Sequence, residues 1–381
     1  MKIKERFSKQ VLYITLFFSF VFPITVFAEK DFFLVNKMVY NALLMGLYGV
    51  YVLRLRLKIT PIDIMIVMFM ILRVVFTKDF ESLGLVYLLI IRHLEFNGAR
   101  VSRKYLVLIL LSILFYSVVH HRTLGLSMIS SSIGERNEVG FYLVVLYFVL
   151  RIHGMKTAAV IILLSGLLTY SRNYFVSFCL VFFADYLGPL WRRRQKPKFP
   201  KFLNFRRISI GSIVFVLLLF VYFNNASVEY VASTGFERLF RLKDPSNYHR
   251  FVANIYPLYY YVQNPSKLLF GVDYSTYRDF IATSGITARF RVGKINAPHN
   301  YFFKTLYKYG GFSIFIFYYV GVFINRRLTR SNLYVLLVYF TYAMFLGTGF
   351  YESGLILLLF ILSSMYSKKT DVPLDSSLDK T

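Results

Sequence analysis

Apolar runs and short basic clusters alternate along almost the whole chain. The runs reach roughly 15–20 residues, close to the ~20 a helix needs to cross a ~30 Å hydrocarbon core. They read as twelve transmembrane helices at about 11–28, 34–53, 60–77, 81–95, 104–120, 138–152, 156–171, 173–191, 208–224, 300–324, 332–348 and 350–366. They lack the strict alternation of a membrane β-barrel, and in lipid a helix satisfies its own backbone. The expected fold class is an all-α polytopic integral membrane protein. Residues 1–224 carry transmembrane helices one to nine, and 225–299 form a large, partly helical periplasmic loop. Residues 300–366 carry helices ten to twelve, and 367–381 form a cytoplasmic tail.

Lys and Arg positions set the expected orientation, because cytoplasmic loops collect them. With the N-terminus inside, the basic residues gather at 1–10, 54–59, 92–104, 192–207 and the tail. The short outer loops hold only Lys30, Lys78, Arg122, Arg136 and Arg172. The run Arg192-Arg193-Arg194-Gln195-Lys196-Pro197-Lys198 is the strongest anchor and reads as a stop near anionic lipid. The expected location is the bacterial inner membrane, multi-pass, with both termini cytoplasmic and the active site on the periplasmic side. Val26-Phe27-Ala28 resembles a signal-peptide cleavage site. The even number of spans favours an uncleaved first helix, and no internal repeat is visible.

Composition adds two limits. The chain has 381 residues, 57% of them hydrophobic, against 45–50% in ordinary soluble domains. Its net charge of +26 would point to nucleic acid in a soluble protein; here the loop bias explains it, and no nucleic-acid partner is expected. One cysteine, Cys179, excludes an intrachain disulfide and cysteine-ligated zinc. No metal and no cofactor is expected.

Candidate chemistry concentrates in 225–299. Arg238, Arg241, Lys243, Arg250, Lys267, Arg278, Arg289, Arg291 and Lys294 outnumber Glu229, Glu237, Asp244, Asp273 and Asp279. A basic excess outside the cytoplasm runs against the charge rule and fits an anionic substrate. Ser246 after Pro245 reads as an N-cap, and Asn264-Pro265 to Phe270-Gly271 as a helix exit and turn. Pro298 reads as a helix start that puts His299 and Asn300 in the first turn of the tenth span, where N–H groups attract anions. A histidine there can act as a base or a donor.

Other polar positions are secondary. Arg172, in Thr169-Tyr170-Ser171-Arg172-Asn173, lies at the outer surface, and its planar guanidinium suits phosphate oxygens. In Gly134-Glu135-Arg136-Asn137-Glu138, Arg136 and Asn137 are candidate contacts for sugar hydroxyls. Asp63 and Asp185 read as packing or pairing residues, Arg73 lies near an outer end, and Glu352 is a spare candidate base.

The order of these pieces resembles the O-antigen ligase/polymerase superfamily. Ser171-Arg172, a large loop with an early arginine, the Phe270-Gly271 turn and then His299-Asn300 follow its pattern. The passage from His299 to Gly310-Gly311 is similar to the family's His-Asn, nine residues, Gly signature. Ser313 departs from it, standing where ligases commonly carry Gly, Thr or Tyr. The resemblance covers about 130–325. It implies a metal-independent, GT-C-like glycosyltransferase acting on undecaprenyl-pyrophosphate-linked oligosaccharides, with membrane lipid and a chain-length regulator protein as possible partners. Carried over to this chain, Arg172 and Arg250 would hold the pyrophosphate. His299 would act on the acceptor hydroxyl, as base or orienting group. Asn300, Arg136, Asn137, Arg289 and Arg291 are expected to contact substrate. A repeat-unit polymerase is the leading expectation. A ligase that moves the glycan to lipid A core is the alternative, and a lipid-linked oligosaccharide flippase is the alternative from a different class.

Overall fold

A computed structural model describes residues 2–21, 30–55, 59–77, 80–96, 99–124, 136–169, 171–187, 204–225, 245–283, 298–329, 331–346, 350 and 352–366. Among the described residues the regular elements are all helices. In chain order the helices are α1 (Lys2–Leu16), α2 (Lys30–Leu55), α3 (Pro61–Thr77), α4 (Val86–Ile91), α5 (Arg103–Leu124), α6 (Arg136–Ile152), α7 (Lys156–Ser165) and α8 (Arg172–Phe182). They continue with α9 (Phe205–Asn225), α10 (Pro245–Gln263), α11 (Tyr274–Thr283), α12 (Tyr301–Tyr309), α13 (Phe312–Asn325), α14 (Leu333–Leu346) and α15 (Glu352–Tyr366).

The helices confirm the apolar pattern but not the twelve transmembrane spans. Among the described residues no helix is long and apolar enough to cross a membrane. This overturns the polytopic fold class, and with it the multi-pass inner-membrane location inferred from hydropathy. Part of the reason is that continuous apolar sequence is broken in the backbone. The first run leaves α-geometry for a π-turn at Phe17–Val21. The fourth is a 3₁₀ turn, Phe80–Leu85, followed by the six residues of α4. The seventh ends α7 in a 3₁₀ turn, and the eighth leaves α8 for a π-turn at Phe183–Leu187. The tenth divides at Gly310-Gly311 into α12 and α13. Longer helices carry polar ends instead: α9 opens Phe-Arg-Arg and closes Asn-Asn.

The main core joins α4, α6, α14 and α15 with the inner faces of the helices around them. Tyr87, Tyr147, Tyr339 and Tyr342 are fully buried there. The outward faces of α2, α3, α5 and α9 are apolar as well, with Leu53, Val75, Phe76, Leu114 and Leu218 exposed. Contiguous apolar surface of this kind marks an interaction face. A second, smaller core lies where α10 and α11 pack on α12 through Val252, Tyr260, Tyr261, Tyr277, Ile281 and Tyr307. It attaches the described part of 225–299 to the bundle.

Candidate functional site

Residues 298–300 are held by α10. Asn254, on the buried side of α10, accepts hydrogen bonds through Oδ1 from the backbone N–H of His299 at 2.9 Å and of Asn300 at 2.8 Å. Arg250 lies one helical turn earlier, so it shares that face of α10. Arg250 and His299 are both half-buried. One carboxamide therefore ties His299 to the helix that carries Arg250 one turn earlier. Sequence reasoning missed Asn254; the available signal was its position four residues after Arg250.

Asn300 does not lie in the first turn of a helix, as the sequence implied; it is the N-cap. Its Oδ1 accepts from Phe302 N–H at 2.8 Å and from Phe303 N–H at 3.3 Å, and its Nδ2 donates to Met344 O at 3.2 Å. Asn is a favoured cap because a short carboxamide reaches those free N–H groups. Its side chain thus caps α12 and ties it to α14. His299 sits just outside the helix. Likewise α10 opens at Pro245, which places Ser246 inside the helix and not at its cap.

Arg172 opens α8. Ser171 is its N-cap, accepting from Tyr174 N–H at 3.3 Å. Ser177 of α8 bonds Thr341 of α14 at 3.0 Å, and Tyr174 lies within electrostatic reach of Tyr342. These pairings run antiparallel, which puts the Arg172 end of α8 at the Met344 end of α14. Asn300 reaches that same end. Asn173, next to Arg172, is buried, and its Nδ2 has no hydrogen-bond partner among the described residues. Asn254 thus ties α10 to the entry of α12, Asn300 ties that entry to α14, and α8 packs on α14 with Arg172 toward the same end. A phosphate-rich ligand would meet planar guanidinium groups there.

The far end of α12 explains the spacing of the His-Asn…Gly pattern. Gly310 takes φ +55° and Gly271 φ +75°, a region that side chains other than glycine rarely adopt. A Cβ on Gly310 would collide with Leu268 O, and one on Gly271 with Lys308 O. Gly311 N–H donates to Leu268 O at 2.7 Å, and Val272 N–H to Tyr307 O at 3.0 Å. The nine residues between Asn300 and Gly310 are the length of α12, capped at one end and locked against the Phe270-Gly271 turn at the other. Fully buried Arg73 braces this turn: Nη1 donates to Phe270 O at 2.7 Å, Nε to Ser82 Oγ at 3.3 Å, and the guanidinium lies 5.9 Å from the Tyr309 ring centre.

Of the remaining expected contacts, Arg289 and Arg291 lie outside the described residues. Arg136 and Asn137 form the first turn of α6 in backbone only. Asp63 and Asp185 are paired, as one of their two readings required. Arg92 meets Asp63 at 2.9 Å, and Arg151 forms an ion pair with Asp185, whose carboxylate also accepts from Tyr147 at 2.7 Å. No family model, curated protein or solved structure matches the chain.

Proposed function

We propose that the chain is a glycosyltransferase that polymerises undecaprenyl-pyrophosphate-linked oligosaccharide repeat units into a surface polysaccharide. The observation that carries the reading is the Asn254 bridge, which sets His299 beside the turn of α10 that bears Arg250. Two arginines and a histidine on helices linked through Asn254, Asn300 and α14 suit the reaction. As the glycosidic bond to pyrophosphate breaks, negative charge grows on the departing oxygen, and fixed guanidinium groups stabilise it. His299 orients the acceptor hydroxyl. Attack from the face opposite the leaving group inverts the anomeric centre. The apolar outward faces of α2, α3, α5 and α9 suit the prenyl chain of the donor.

Deleting the protein from its host and profiling the glycan tests the reading. A polymerase predicts single repeat units on lipid A core and no ladder. Long polymer stranded on the undecaprenyl carrier, with bare core, indicates a ligase instead. Single units trapped unflipped on the carrier indicate a flippase. Replacing Arg172 or Arg250 by Ala lowers polymer formation about 10²–10³-fold while the protein still accumulates. Full activity in the Arg172→Ala, Arg250→Ala, His299→Ala triple variant refutes an enzymatic role.

A further inference from the structure

His153, in the turn between α6 and α7, is bonded at both ring nitrogens, and its partners fix its protonation. Val149 O can only accept, so Nδ1 carries the proton and donates to it at 2.7 Å. Val101 N–H can only donate, so Nε2 accepts from it at 2.8 Å. The ring is therefore neutral, with its proton on Nδ1. A second proton, on Nε2, would set two N–H groups head to head. Val101 is 3% exposed, so its N–H has little water to turn to. A buried donor left without an acceptor is costly, and imidazole is the side chain that gains a proton near neutral pH.

The contact holds the entry of α5. Val101 and Ser102 lead into that helix; Val101 rests on His153, and Ser102 N–H donates to the Tyr13 hydroxyl of α1 at 2.9 Å. Residues 92–95, just after α4, are fixed independently. Arg92 pairs with Asp63, and Leu94 O accepts from Arg327 at 2.9 Å. Glu95 pairs with Lys4 at 3.0 Å, and its N–H donates to Ser8 Oγ at 2.7 Å. None of these contacts uses a histidine. The groups that face the His153 ring offer a second proton no counter-charge. The α5 entry presents Arg100, and α15 presents the Phe360 ring, its centre 6.2 Å away. Arg151 of α6 is committed to Asp185, and α7 opens with Lys156. Among the described residues no carboxylate pairs with the ring.

We infer that His153 is a proton-operated clasp: in acid its ring releases Val101 and frees the entry of α5 from the α6–α7 turn, while residues 92–95 stay in place. The inference stands apart from the proposed glycosyl transfer. Burial, helped by Arg100, holds the clasped ring below 6.5 against the opposing bond to Val149 O. The released ring takes its proton at the ordinary value and so protonates first. The clasp is therefore whole above pH 6.5 and weakens as pH falls toward the clasped pKa. Between pH 7 and pH 5 the open form gains at most about 25-fold, the limit set by a free imidazole of pKa about 6.5. Once open, α5 keeps its hold on α1, where the Tyr13 and Tyr105 rings lie 4.9 Å apart. Acid thus changes the support at the start of a helix whose outward face, with Leu111 and Leu114, is apolar and exposed.

Hydrogen exchange on the full chain, resolved at single amides and corrected for the intrinsic pH dependence of exchange, tests the clasp. In wild type, opening at Val101 rises about tenfold or more from pH 7 to pH 5, within the limit of about 25-fold. Opening at Glu95, whose N–H is held by Ser8, stays within about threefold. His153→Gln keeps an acceptor but does not titrate, so Val101 becomes flat across the same range while His93 is still present. Val101 opening that changes less than threefold in wild type overturns the clasp. So does a rise at Glu95 equal to that at Val101, which means general loosening. A rise at Val101 that persists in His153→Gln assigns the proton to another group and overturns it too. Where His153→Gln folds poorly, the ring of wild type decides by nuclear magnetic resonance. A proton on Nδ1 at pH 7 and a titration midpoint below 6.5 support the clasp; a proton on Nε2, or a midpoint at or above 6.5, overturns it.

Discussion

Asn254→Ala isolates the contact that joins α10 to His299 and Asn300. The substitution removes the acceptor for two backbone N–H groups at once. Each hydrogen bond is worth about 1 kcal/mol net, and a buried donor left without a partner costs about 1–3 kcal/mol more. Asn300 is fully buried and bears that penalty, whereas half-buried His299 regains water. The loss at 298–300 is therefore about 3 kcal/mol, and amide exchange of His299 and Asn300 accelerates about 10²-fold. Hydrogen exchange resolved at those two amides measures it. The fold elsewhere is held by the main core, so protection of α6 and α14 stays unchanged. Asn254→Asp retains an acceptor oxygen at the same place and restores protection to within about threefold. If Asn254→Ala leaves both amides as protected as in wild type, Asn254 does not hold the segment. Repeat-unit transfer is expected to fall with protection across the three proteins; transfer that stays constant detaches His299 from the chemistry.

Other substitutions probe the frame around the site. Gly310→Ala forces a Cβ into Leu268 O at a backbone conformation alanine resists; it costs about 3 kcal/mol or more and lowers the melting temperature, whereas a melting temperature equal to wild type would mean the turn is not locked. Asp63→Ala strands Arg92 beside Thr60 and costs about 2–4 kcal/mol in chemical denaturation, below the full buried-pair figure because Arg92 is partly exposed. His153 is neutral in the fold: burial lowers its pKa from 6.5, Arg100 lowers it further, and a hydrogen bond to Val149 O opposes them. Its Nε2 accepts from Val101 N–H at 2.8 Å, which a protonated ring cannot do. The unfolded chain binds the extra proton first, so this stability is whole above pH 6.5 and is lost as pH falls toward the folded pKa. His153→Gln makes the melting temperature fall less between pH 7 and pH 5 than in wild type, where His93, also lowered by burial, adds its own part.

Hydropathy located most helices to within a few residues, as at 60–77 for Pro61–Thr77 and 332–348 for Leu333–Leu346. It did so because burying an apolar face is what makes a segment helical in context. It gave no access to where a helix stops being regular. Residues 300–324 are apolar throughout, yet Gly310 turns the backbone, because the contact that needs the turn comes from Leu268, over forty residues away. The π-turns after α1 and α8 are equally silent in hydropathy, and counting apolar residues across such breaks produced spans that the described helices do not form. The order of the motifs singled out Arg172, Arg250 and His299 as candidates. Asn254 was not among them, since an Asn inside a helix usually reads as a surface or packing residue, and its partners are backbone groups that carry no sequence signal. The capping role of Asn300 was equally hidden, because a cap and a ligand contact look the same in one letter.

Helix α10 grips α12 at both ends. Asn254 holds the residues that enter α12, and two turns later Tyr261 donates from its hydroxyl to Tyr307 O near the exit, at 2.6 Å. Tyr277 of α11 ties back to Ala253 O at 2.7 Å. Arg250 and His299 therefore ride on one rigid unit and keep their spacing when that unit moves. On the proposed reading, a ligand that bridges Arg172 and this unit depends on how α8 sits on α14, not on any separation of α10 from α12. A crosslink between α10 and α12 is then expected to leave activity unaltered.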